Sequence, residues 1–227
     1  MRVSRFSFCV SLVFALTAFH PAAGAEDPSP QAVVRRYLEA ARDGQLKAAR
    51  DCIQADGKDE AALADCFAAL MVDSQRLLAA ARAKFGKGVD RSGIAKYAKE
   101  HRAYVEATLK RLAATEVIVR DDTATLTLPK RDEKRESFNL IELNIVLKKV
   151  GGDWKIDLKR TFPLANPAED VKDPYFVVMR DRVAVIAKFI TAIEQGRFKS
   201  FEEFDRLYED WATLEIKDPF APQKGEK

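Results

Sequence analysis

The stretch Phe138–Lys159, FNLIELNIVLKKVGGDWKIDLK, has two arms of alternating apolar and polar residues on either side of a glycine pair. Ile141, Leu143, Ile145 and Leu147 recur at every second position of the first arm, and Trp154, Ile156 and Leu158 do so in the second. Period two is the pattern of a half-buried strand. Gly151-Gly152 supplies a two-residue turn whose backbone can take the positive φ that such turns need. Closing that turn with Val150 opposite Asp153 sets Leu147 opposite Ile156 and Ile145 opposite Leu158. A loop one residue longer would put these partners out of phase, so the register is sharply specified. Leu140 and Val146 fall on the other face, which is therefore expected to be partly covered.

Upstream, Thr115–Arg120 and Thr123–Leu128 predict a second hairpin about Asp121-Asp122, with Val117 opposite Leu126 and Val119 opposite Ala124. Between the hairpins, residues 130–136 hold four basic and three acidic side chains, a composition that reads as a solvated loop. Before residue 115 the apolar period is that of helices. Ser29-Pro30 opens the first as cap and first helical residue, with Val33, Val34, Tyr37, Leu38 and Ala41 on one face and Gly44 at its end. A short helix is expected over 46–55, a long one over 59–85 and a fourth, capped by Ser92, to about Ala114. After the sheet, Asp173-Pro174 starts a helix ending at Gly196, and Ser200 with Glu203 forms a capping box for the last. The expected fold is α+β: N-terminal helices (30–114) packed on a curved antiparallel sheet of about four strands (115–160), with a C-terminal helical pair (174–213). These form one domain over 26–214, followed by a flexible tail, 215–227.

Residues 1–25 read as a signal peptide. Arg2 and Arg5 precede the 14-residue apolar run Phe6–Phe19, and Ala23-Gly24-Ala25 offers the small-residue cleavage pattern. The run is short for a membrane span, so an exported soluble protein, periplasmic or extracellular, is expected with no span after cleavage. Of the 227 residues, removing 25 leaves 202, with 36 basic against 35 acidic side chains and a net charge of +1. Mixed signs of that kind lack the basic stripe of a nucleic-acid binder. Cys52 and Cys66 remain, and in an oxidising compartment they are expected to form one disulfide worth roughly 3 kcal/mol, the alternative being two buried thiols. Two cysteines and one surviving histidine are too few soft ligands for a metal site, and no cofactor motif is present.

Pro30–Cys52, PQAVVRRYLEAARDGQLKAARDC, resembles the opening helix pair of exported members of the nuclear transport factor 2-like superfamily, whose fold is the cystatin-like roll. LNIVLKKVGGDWKIDL, Leu143–Leu158, resembles that family's closing hairpin. The resemblance implies a cone-like cavity between sheet and helices. The long helices at 59–85 and 92–113 and the C-terminal pair depart from the simple family pattern. Enzymes, transport adaptors and modules without activity share the superfamily, so the resemblance does not choose among them.

His101 is the single histidine left after cleavage and falls on the helical face of Tyr97, Tyr104 and Val105. As a catalytic base it would need an orienting carboxylate, and Glu100 and Glu106 point elsewhere by helical spacing. Packing with a hydrogen-bonded neighbour is the simpler expectation. Asp157 reads as a solvated strand carboxylate paired with Lys148 or Lys159, and Asp121-Asp122 as turn residues. Phe201, Phe204, Tyr208 and Trp211 read as a docking stripe. Tyr97, His101, Tyr104 and Trp154 are the candidate pocket residues. The expected function is a non-catalytic binding module for an unknown small molecule or envelope protein, with an apolar cavity between sheet and helices. The rivals are an isomerase-like or hydrolase-like enzyme using His101, and a structural envelope protein with no open pocket.

Overall fold

A computed structural model describes residues 29–128, 144–161, 174–214 and 218–220. The expected leader, the expected loop at 130–136, the Phe138–Leu143 part of the expected strand, residues 162–173 and most of the expected tail lie outside them. The fold is α+β. Helices α1 (Pro30–Arg42), α2 (Leu46–Asp51), α3 (Lys58–Phe85) and α4 (Gly93–Leu112) precede strands β1 (Glu116–Arg120), β2 (Thr123–Thr127), β3 (Asn144–Val150) and β4 (Asp153–Ile156). Helices α5 (Leu158–Thr161), α6 (Pro174–Glu194) and α7 (Phe201–Leu214) follow. A 3₁₀ segment, Gly86–Arg91, joins α3 to α4.

Local chemistry explains the element ends. Ser29 Oγ accepts the Ala32 N–H at 3.1 Å with Pro30 at the first helical position, and Ser92 Oγ accepts the Ala95 N–H at 3.2 Å. Ser200 Oγ accepts from Glu203 N–H, while the Glu203 carboxylate accepts from Lys199 N–H at 2.8 Å, closing the cap of α7 reciprocally. Gly44 turns the chain from α1 to α2 at φ 71°, where a Cβ would sit 3.2 Å from that of Gln75.

The four strands form one open antiparallel sheet in the order β1-β2-β3-β4. Arg120 faces Thr123, Val117 faces Leu126, Val150 faces Asp153 and Leu147 faces Ile156. The turn between β3 and β4 runs through Gly151 and Gly152 at φ 60° and 97°. The strand does not continue to Lys159 as its alternation suggested. It ends at Ile156, because the Asp157 carbonyl and carboxylate accept from Thr161 N–H and Arg160 N–H and wind the chain into α5. Thr161 Oγ1 then accepts from Val146 N–H at 3.0 Å, taking the place of the missing strand partner. Leu158 is consequently helical and not paired with Ile145. Helix α2 also stops short of Ala55: after it, Ile53 bridges Ile156 in parallel, with Ile156 N–H donating to Cys52 C=O and Gln54 N–H to Ile156 C=O. The outer edge of β4 is thereby covered.

Two apolar cores lie along the long helices. The first joins α1, α2, the front of α3, the back of α4 and the sheet, with Val34, Ala124, Leu126 and Leu147 fully buried. The second joins the back of α3, the front of α4, α6 and α7, with Phe189 and Phe204 fully buried. Burying such side chains supplies about 1.5–3 kcal/mol each. The aromatic stripe of α7 therefore docks, as its spacing suggested.

Cys52 and Cys66 are free, in place of the expected disulfide. They look to different neighbours. Cys52 Sγ takes a hydrogen bond from Arg36 Nε and donates to Ala48 C=O, both at 3.3 Å, on the α1 side. Cys66 is held near Asp73 and Arg180, towards α6, and burial pushes its thiol up to about 11. Pairing by count alone could not see that opposition.

Candidate functional site

The sheet face under the helices is filled by Ala124, Leu126, Leu147 and Ile156. Concave space opens at the rim of that layer instead. Where α1, α2 and β4 meet, Val33, Arg36, Ala48, Asp51, Asp153, Trp154 and Lys155 line a cleft of about 410 Å³. The parallel bridge at Ile53 brings the end of α2 against β4 and so creates this corner.

Trp154 is the apolar wall and retains 8% exposure. Its cross-strand partner Lys149 places Nζ 5.8 Å from the ring centroid, a cation over the negative face of the indole. Arg36 comes from α1, on the flank of its apolar stripe, and its Nε is fixed by Cys52 Sγ. The Lys155 ammonium donates to Asp51 C=O at 2.6 Å. The Asp51 carboxylate pairs with Lys47 at 2.7 Å, and that hydrogen bond, helped by Lys155 and Arg36, holds it below the usual carboxylate range. Arg36 donates from Nε to Cys52 Sγ, and its charge also acts on the Asp51 carboxylate. Beneath the cleft, burial raises the Tyr37 hydroxyl, with Cys52 and Tyr104 adding to the shift. The arrangement can meet an anionic group with Arg36 and make apolar contact with the exposed part of Trp154, with the Asp51 and Asp153 carboxylates lining the same cleft. Among the described residues that line the cleft, no nucleophile is paired with a base.

Of the four residues singled out from sequence, only Trp154 lines this cleft. Tyr97 is half-buried near Tyr208, towards the second core. Tyr104 is half-buried against the first core near Tyr37. His101 lies between them on α4, half-buried, its Nδ1 enclosed and without a hydrogen-bond partner. Burial lowers its pKa, favouring the neutral ring. Asp157 serves as the cap of α5 and pairs with Arg160 at 3.5 Å, in place of the expected Lys148 or Lys159. Among the described residues no three His, Cys, Asp or Glu side chains gather as a metal site. Arg36, Asp51 and Lys155 escaped the sequence reading. The one available signal was a basic residue interrupting an otherwise apolar helix flank at Arg36.

A second cleft, about 400 Å³, lies between Lys188, Thr191, Gln195, Arg197 and Phe220. Phe220 lines it while packing edge-on against Phe189, and Lys188 bonds Asp218 at 2.5 Å.

No family model, curated protein or solved structure matches this chain. The fold and the cleft define it as an α+β protein with a groove at the sheet rim lined by one tryptophan, two basic and two acidic side chains.

Proposed function

We propose that the chain is an exported, non-catalytic binding module, and that its ligand is a small molecule with an anionic group and an apolar or aromatic face. The observation that carries this reading is the meeting of Trp154 and Arg36 in one open cleft. The export half rests on the residues 1–25 leader, and the likeness to the nuclear transport factor 2-like superfamily rests on Pro30–Cys52 and Leu143–Leu158 alone. The ligand would sit at the rim, because Ala124, Leu126 and Leu147 already fill the layer between sheet and helices. An enzyme built on His101 has less support: the ring has no carboxylate hydrogen-bonded to it among the described residues and lines neither cleft.

The chain has two tryptophans, Trp154 and the second-core Trp211, so fluorescence reports the cleft once Trp211 is accounted for. Benzoate, phenylacetate and octanoate are the probes. Saturable change in wild type, lost in Arg36→Ala and in Trp154→Phe, is the expected result. No saturable change with any probe, or an unaltered titration in Arg36→Ala, overturns the reading. Mass spectrometry of the exported protein should find an N-terminus near Glu26.

A further inference from the structure

The two edges of the sheet are treated differently. The β4 edge is covered by the Cys52–Gln54 segment, whereas no described residue pairs with the outer edge of β1. Strand β1 reads Glu116-Val117-Ile118-Val119-Arg120, with no proline, no bulge and no lysine, three of the devices that blunt a free edge. Two of the four exposed large hydrophobic side chains among the described residues lie on it, Ile118 at 45% and Val119 at 52%.

The direction of the ladder bonds fixes which backbone groups are free. Lys149 N–H donates to Asp122 C=O, so the even-numbered residues of this strand segment bond towards β3 and Thr123, Thr125 and Thr127 bond towards β1. Their partners Arg120, Ile118 and Glu116 are thus used within the sheet. Val117 and Val119 turn their N–H and C=O groups outward.

We propose that β1 pairs antiparallel with β1 of a second copy of this chain, about a two-fold axis through Ile118, to make a continuous eight-stranded sheet. In that register Val117 faces Val119 of the second copy, and the two residues with outward backbone groups exchange both hydrogen bonds. Glu116 faces Arg120 of the second copy and the reverse, so two opposite-charge pairs flank an Ile118–Ile118 contact on one face. The strand is self-complementary in backbone bonds, apolar contact and charge together. Neither Glu116 nor Arg120 enters an ion pair within the described chain. The isologous contact closes on itself, so it ends at a dimer and not a fibre. Five residues a side make a small interface, and the dimer forms reversibly with concentration.

Sedimentation velocity over a concentration series tests this, with far-UV circular dichroism confirming that each variant is folded. The wild-type mass should rise towards twice the chain mass. Glu116→Arg sets arginine against arginine and Arg120→Glu sets glutamate against glutamate, each weakening association about tenfold or more. Mixing the two single variants in equal amounts should restore a heterodimer, and the double exchange should restore the homodimer. A wild-type monomer at every concentration, single variants that dimerise like wild type, or a mixture that stays monomeric would each overturn the proposal.

Discussion

Among the described residues, Asp73 is the buried carboxyl with most consequence for stability. It sits on α3 where the first core, ending at Val72, gives way to the second, beginning at Leu77. The residue is 2% exposed; Oδ1 accepts from Arg76 Nη1 at 3.2 Å, while Oδ2 has no partner. Burial raises its pKa from 3.8 to about 6, against the opposing pull of Arg76. A raised pKa means the folded chain holds the proton more tightly than the unfolded one. The resulting stability is full below the unfolded value of 3.8 and is lost as pH rises through about 6. At about 1.36 kcal/mol per unit, the loss amounts to about 3 kcal/mol. Asp73→Asn removes the titration while keeping the shape. Urea unfolding of both proteins at several values between about pH 3 and about pH 8 should therefore show the Asp73→Asn variant gaining about 3 kcal/mol on wild type across that window. Taking the difference cancels Asp43, Asp51, Glu60 and Asp218, whose lowered pKa values push stability the opposite way. A difference that stays flat with pH, or that moves in favour of wild type as pH rises, refutes the argument.

Phe189 is wholly buried, and its ring centroid lies 4.9 Å from Phe220, 5.6 Å from Tyr208, 5.8 Å from Trp211 and 5.9 Å from Phe204. Phe189→Ala should cost about 3–5 kcal/mol in urea unfolding, and Phe189→Leu clearly less; a loss under about 1 kcal/mol for the alanine would contradict the hub role. Without reductant, unfolding should release both Cys52 and Cys66 to Ellman's reagent, with slow reaction in the native state because both are buried and the Cys66 thiol sits at about 11. Unfolded protein in which neither position reacts would restore the disulfide.

Much of the sheet was legible in the sequence because its turns contain two residues. Gly151-Gly152 and Asp121-Asp122 leave a single phase in which the apolar residues share a face, and the observed pairs of Leu147 with Ile156 and Val117 with Leu126 follow. The helix starts at Ser29, Ser92 and Ser200 were legible for the same local reason. Leu158 misled because apolar alternation is blind to Asp157, a carboxylate able to start a helical turn. The cleft was mostly illegible. Trp154 stood out, but Lys155 meets the Asp51 carbonyl across 104 positions of sequence. Nothing local announces the parallel bridge at Ile53 that brings them together. The different neighbours of Cys52 and Cys66, Arg36 for one and Arg180 on α6 for the other, were hidden as well.

Helix α3 has 28 residues and is about 42 Å long. With α4 it belongs to both apolar clusters, so neither cluster can melt while the other keeps all its walls. Heat or denaturant should dissolve the chain in a single cooperative step, although its aromatic half and its sheet half scarcely share a side chain. The polar pair at the crossover, Asp73 and Ser74, is buried inside the rod that both halves lean on.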